Sequence, residues 1–222
     1  MSAILFGSIS TVADTSELQR QAFNQAFQVH GLDWQWDRGD YRAMLSKAGG
    51  QSRITDYADS LGESVDAKAI HETKSKLFQE SLATAHVTPR AGVVDTIKDA
   101  RSNGWKVGFV TTTSRANIAA LLDSLGPDIQ EGDFDVIVDS SSVDEPKPDE
   151  AAYSFALQSL DEMPGNCVAI EDNADGVKAA LAAGVACVAF LNQNTAGQEI
   201  PGARRSVDRL DVHELQQLAL SN

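Results

Sequence analysis

From Pro89 onward the sequence alternates short apolar runs with amphipathic stretches of about ten residues, and this alternation restricts the available folds more than any other feature. Val93 to Asn103 reads as a helix ending at Gly104, and Lys106 to Val110 as a strand running into Thr111-Thr112-Thr113-Ser114. Ala116 to Leu125 follows as a helix, Phe134 to Val138 as a strand, and Ala151 to Leu160 as a helix. Cys167 to Ile170 is a strand entering Glu171-Asp172; Val177 to Ala183 is a helix closed by Gly184, and Val185 to Phe190 a last strong strand. Units of this kind predict parallel pairing with right-handed crossovers. Ala3 to Phe6 supplies one more buried strand, broken by small, hydroxyl-bearing residues before Asp14-Thr15-Ser16-Glu17 offers a helix start.

Between Asp14 and Thr88 no strand pattern appears. Leu18 to His30 is amphipathic, with Leu18, Ala22, Phe23, Ala26 and Phe27 on one face and Gly31 closing it. An aromatic turn from Leu32 to Asp37 leads to helical segments at Tyr41 to Lys47, Gln51 to Leu61 and Ala67 to Leu82, with Gly49-Gly50 between the first two. The expected fold is α/β: a Rossmann-like parallel sheet core from residues 1–15 and 88–222, with an all-helical cap, 16–87, inserted after the first strand. In such sheets ligands bind outside the carboxyl ends of the strands, which directs attention to the loops after Phe6, Val110 and Ile170.

Composition removes several function classes. Thirty-two acidic against 18 basic residues give a formal charge of −14, which opposes non-specific binding to nucleic acid and to an anionic membrane surface. No segment reaches the ~18 consecutive apolar residues of a membrane span. No basic n-region precedes an apolar stretch at the start, so a cytoplasmic location is expected. Cys167 and Cys187 each lie in an apolar run, the pattern of two buried free thiols rather than a disulfide or a metal pair.

The loops carry a more specific pattern. Ala3 to Asp14 resembles motif one of the haloacid dehalogenase (HAD) superfamily, an apolar strand followed by Asp-x-Asp-Gly-Thr-x-x-Asp. Thr11 and Asp14 match, but the first Asp falls on Gly7, the second on Ile9 and the Gly on Ser10. Thr111 fills the second motif, a hydroxyl residue ending a strand. Lys147-Pro148-Asp149-Glu150-Ala151-Ala152-Tyr153 resembles the third, with Glu150 in place of a second Pro, and Glu171-Asp172 followed by Gly176 the fourth. Singly, these residues read as a turn former, a solvated surface lysine and a charge pair at a helix N-terminus. Together, the resemblance implies phosphoryl transfer, with Thr111, Thr112 and Lys147 holding phosphate, Asp172 as the direct Mg²⁺ ligand and Glu171 supporting it. Asp175, a third acid in this loop, is read as a surface residue.

Glu17 to Asn24, Gly31-Leu32-Asp33-Trp34, Gly49 to Ile54 and Thr111 to Asn117 further resemble the CbbY-type phosphatases, which act on xylulose-1,5-bisphosphate. That resemblance implies cap residues at the substrate, here Glu17, Gly50 and Arg53, while the usual His falls on Gln19 and the usual Lys on Gln51. Gly7 offers no nucleophile and Ile9 no proton. Ser8 and Ser10 are hydroxyls with no His beside them in sequence, and losing one member of a catalytic unit already costs orders of magnitude in rate. The expectation is a degenerate member that binds a phosphorylated small molecule or a partner without turnover, with Mg²⁺ binding weak or lost. The alternative is an active Mg²⁺-dependent phosphatase of small phosphorylated sugars with an altered mechanism.

Overall fold

The computed structural model describes residues 2–45, 47 and 49–219. Its centre is β1 (Ala3–Phe6), every residue of which is buried. One helical turn, α1 (Ile9–Val12), follows within a stretch that reads from sequence as a loop. Ile9 and Val12, three apart, bury against the core, and the Thr11 hydroxyl donates to the Ser8 carbonyl at 2.7 Å, which stabilises the turn.

Four helices come next: α2 (Ser16–Val29), α3 (Arg38–Met44), α4 (Gly50–Leu61) and α5 (Ala67–Thr84). Asp37 and Asp66 start α3 and α5 by accepting from the Asp40 and Ala69 amides. These helices share their own apolar cluster of Phe23, Phe27, Trp34, Trp36, Tyr41, Ile54 and Ile70. Within it the Phe27 and Trp36 rings meet edge to face at 4.7 Å. Among the described residues no strand lies between β1 and residue 88.

The chain then alternates through α6 (Val93–Ser102), β2 (Lys106–Val110), α7 (Arg115–Leu125), β3 (Val136–Val138), α8 (Ala151–Leu160), β4 (Cys167–Glu171), α9 (Ala174–Ala182) and β5 (Ala186–Phe190). A short edge strand β6 (Ser206–Val207) and helix α10 (Val212–Ala219), both past the last strand read from sequence, complete it. The six strands form one parallel sheet in the order β3-β2-β1-β4-β5-β6. This is the α/β, Rossmann-like fold expected.

Side chains alternate across the sheet. Ile4, Phe6, Val107, Phe109 and Ile170 enter one apolar cluster. Ala3, Leu5, Val110, Cys167, Ala169 and Cys187 enter the other, with Tyr153 of α8 and Val177 of α9. Both cysteines are free and buried, and burial pushes the Cys167 thiol up to about 11. Among the described residues no helix is long and apolar enough to cross a membrane.

Candidate phosphate-binding cleft

β1 is the point where the strand order reverses, between β2 and β4, so the chain diverges there and opens a crevice at the carboxyl ends. A cleft of about 1090 Å³ lies at this edge, between the sheet and the helices 16–84. Its sheet side carries Ser8, Ile9, Ser10, Thr111, Thr112, Ser114, Asn117, Asp172 and Asn192; its helical side carries Gln19, Gly50, Arg53, His71 and Lys74.

The Thr111–Ser114 loop leads into the N-terminus of α7, where Ser114 caps the helix by accepting from the Asn117 amide. Thr111 is anchored by its own amide to the Val138 carbonyl, and its hydroxyl accepts from the Thr113 amide at 3.2 Å. Hydroxyls and free amides at a helix N-terminus favour an anion. Asn117 donates to the Thr113 hydroxyl at 2.9 Å and accepts from Gln79 of α5 at 2.8 Å, tying this loop to the helical layer. Arg42 makes a second tie, donating to the Ala196 carbonyl and accepting from Gln198 on its own carbonyl.

The helical side holds a lysine and a histidine that sequence reading missed. Ile70, Lys74, Phe78 and Leu82 recur every four residues and are all buried, so Lys74 lies on the apolar stripe of α5. That misplaced lysine was the available signal. Its ammonium donates to Gln19 Oε1 at 3.1 Å and lies over the Phe23 and Phe78 rings. Burial, with the Arg53 charge adding to it, lowers its pKa to about 7. His71, one turn earlier, is lowered to about 4 by burial and by Lys74 and Arg53. Gly50 faces this ring so closely that a Cβ there would lie 2.5 Å from His71 Nε2. Arg53 is anchored by the Lys47 carbonyl at 2.9 Å and stacks near Phe23 and Tyr41.

The expected residues do not all meet in the cleft. Thr111, Thr112, Gly50, Arg53 and Asp172 line it; Glu17, Lys147 and Glu171 do not. The Glu17 carboxylate is held by Arg20 and by Arg38, which lower its pKa. Lys147 is buried, its ammonium donating to the Gly7 carbonyl at 2.6 Å, the Val110 carbonyl at 2.7 Å and Glu171 Oε1 at 2.5 Å. Strand register explains this convergence. Phe6 pairs with Phe109 and with Ile170, so the next residues, Gly7, Val110 and Glu171, end three adjacent strands side by side. Glu171 points to the same sheet face as Ala169 and Cys167, toward α8, where Tyr153 donates to Oε1 at 2.8 Å. It is fully buried, and burial raises its pKa against the pull of Lys147. Asp175, expected at the surface, is only 7% exposed and pairs with Lys178, because the first turn of α9 packs inward.

The Mg²⁺ implied by the resemblance does not fit these residues. Positions 7 and 9 offer no carboxylate, and Glu171 faces the interior. Asp172 accepts from the Asn173 and Asn192 amides at 2.9 and 2.8 Å, one on each oxygen. Amide hydrogens point where a cation would need bare oxygen, and Mg²⁺ demands a near-octahedral oxygen set. No group of three or more His, Cys, Asp or Glu able to hold a metal occurs among the described residues. Asn192, which also accepts from the Asn194 and Thr195 amides, lies past the last strand read from sequence.

The whole arrangement, with a phosphate-type loop after β2, the ends of β1 and β4 beside it and helices roofing it, agrees with the comparisons to known proteins. The family model of the haloacid dehalogenase-like hydrolases matches residues 1–184. The chain belongs to that family, in its CbbY-like branch. Protein CbbY of Cereibacter sphaeroides is 36% identical over 209 residues, covering 93% of this chain and 91% of that one. The crystal structure of CbbY from Rhodobacter sphaeroides in complex with phosphate superposes with a TM-score of 0.86 at 35% identity, covering 94% of each chain. A mutant of that CbbY in complex with xylulose-(1,5)bisphosphate matches equally well.

Proposed function

We propose that this CbbY-like chain binds a small phosphorylated ligand, of the sugar phosphate class, without hydrolysing it. The observation that carries this reading is the cleft itself: anion donors on both walls, Ile9 on its lining with no acid to offer, and Gly7 at the strand end behind it with no nucleophile. The Thr111–Ser114 loop suits one phosphate, and Arg53, His71 and Lys74 suit a second anionic group from the opposite wall. The complex of the related CbbY with xylulose-(1,5)bisphosphate supports this ligand class. Phosphatases of this family generally use Mg²⁺; in this chain its binding is weak or lost. Ligand access is through movement of residues 16–87 as a cap over a core of 1–15 and 88–222, against the ties at Gln79 and Arg42.

A second reading, hydrolysis by an altered mechanism, draws on Ser8 and Ser10, which share the cleft with His71. A histidine held near pKa 4 is a weak base at neutral pH, so this reading ranks second. Calorimetric titration with xylulose-1,5-bisphosphate and an assay of phosphate release from it and from p-nitrophenyl phosphate separate the two. Binding without release is expected. Release abolished by Asp172→Ala or His71→Ala would establish a hydrolase instead.

A further inference from the structure

The disagreement between the metal implied by the family and the residues present has a specific structural form. A Cβ built on Gly7 would lie 2.2 Å from both Cδ and Oε1 of Glu171 and 2.5 Å from the Tyr153 hydroxyl. A Cβ on Gly176 would lie equally close to the same carboxyl group, at 2.2 Å. Glu171 is therefore seated between two glycines, in the space where a residue-7 side chain would begin.

We infer that Glu171 has taken over, within the fold, the counter-ion place beside Lys147 that a carboxylate at position 7 would hold, and that the cleft consequently takes phosphate without a divalent cation. An ammonium has three donors, and all three of Lys147 are committed to Gly7, Val110 and Glu171, so none is left for a ligand. So seated, Glu171 does not reach the cleft that Asp172 lines, and the Asp172 oxygens are each held by an asparagine amide. One event, the loss of a side chain at position 7, thus accounts for a buried ion pair, a lysine withdrawn from the cleft and an incomplete metal site. Glu171 Oε2 is buried with no hydrogen-bond partner among the described residues, as expected of a carboxylate drawn into its place by one strong contact rather than built there with a full complement of donors.

A carboxylate exchange tests this. Glu171→Ala strands the Lys147 charge, and Gly7→Asp forces a second carboxylate onto Glu171; each is expected to lower the melting temperature. Gly7→Asp combined with Glu171→Ala returns one carboxylate to Lys147, and should recover most of the loss seen in Glu171→Ala. Additive losses would overturn the inference. A second measurement needs only the wild-type chain: its melting temperature should be the same in MgCl₂ and in EDTA at matched ionic strength. A rise specific to Mg²⁺ would overturn the inference as well. The cation-free binding of phosphate rests on the proposed function, and titration with inorganic phosphate in both media reads it. Equal affinity supports the inference, and affinity about tenfold tighter in Mg²⁺ defeats it. Absence of phosphate binding in either medium would remove the proposed function and the phosphate clause with it, leaving the exchange to be judged by the melting temperatures.

Discussion

Lys74 is a cation placed where an aliphatic residue would be more stable. Gln19 and two aromatic faces receive it, Arg53 repels it, and among the described residues no carboxylate pairs with it. Its pKa in the folded chain, about 7, lies below the ordinary 10.5. Between those values the unfolded chain binds a proton that the folded one lacks, so stability rises with pH across that window and the penalty is complete below it. His71 acts in the same sense between about 4 and 6.5. Lys74→Met should stabilise the protein at neutral or lower pH by about 1–3 kcal/mol, flatten the upper window, and weaken phosphate binding about tenfold. Urea unfolding at a series of pH values, with titration of inorganic phosphate, checks all three. An anion beside Lys74 should draw a proton in above neutral pH. Calorimetry in buffers of differing ionisation enthalpy should detect that uptake, and its absence would count against Lys74 as a ligand. Single residues were unevenly legible in sequence. Thr111 and Asp172 stood at strand ends, whereas Lys147 and Glu171 looked like cleft residues because their motifs carry no information about which way a side chain turns. For Glu171 the clue was parity: it follows Cys167 and Ala169 by even steps, on the face that packs against α8.

At the scale of elements, apolar periodicity made β1 to β5 and the longer helices legible, since each is fixed by its own local pattern. The elements that escaped are held by distant partners. β6 has only two residues and pairs at the sheet edge with β5, and α1 is a single turn whose neighbours determine it. Arg90 shows how such pieces are joined. From the segment between α5 and α6 its guanidinium donates to the Ser10 carbonyl of α1 and to the Phe190 and Leu191 carbonyls ending β5, while stacking on the Phe190 ring. Asp14 works alongside it, accepting from the Ser16 and Gln193 amides. Nothing in the local sequence around Arg90 announces three carbonyls drawn from two remote segments. Arg90→Ala leaves those carbonyls short of a donor and should cost about 3 kcal/mol; Arg90→Lys, with one ammonium in place of a planar fork, should recover part of it. Chemical denaturation reads both values. A loss below about 0.5 kcal/mol for the alanine variant would mean that water replaces the guanidinium without penalty.

For the molecule as a whole, the fold opens a cleft at the strand end that carries Gly7 and Ile9, and the sharpest expectation of the proposed non-hydrolytic reading is about how turnover could be restored. Wild-type protein should release no phosphate from p-nitrophenyl phosphate or sugar phosphates above background. Gly7→Asp alone supplies a carboxylate at the end of β1 but sets it against Glu171 and leaves Ile9 unable to move a proton, so slow or single-turnover release is the most it should give. Gly7→Asp with Ile9→Asp and Ser10→Gly supplies both carboxylates and a flexible loop. In that variant Lys147 has a new counter-ion, and Glu171 is free to leave the interior and join Asp172 at the cleft. Measurable Mg²⁺-dependent turnover should follow, and adding Glu171→Ala to the triple variant should raise the Mg²⁺ concentration needed for half-maximal rate. In the unmodified chain, by contrast, the inferred exchange has Glu171 act on stability alone, because its carboxylate pairs with Lys147 in the interior. A triple variant that stayed inactive despite a wild-type melting temperature would show that more than the β1 end has been lost. The gap would then lie elsewhere in the cleft, with Gln19 and Gln51 on its helical wall the first positions to test. Turnover in the triple variant that ignored Glu171→Ala would instead show that this carboxylate never turns outward.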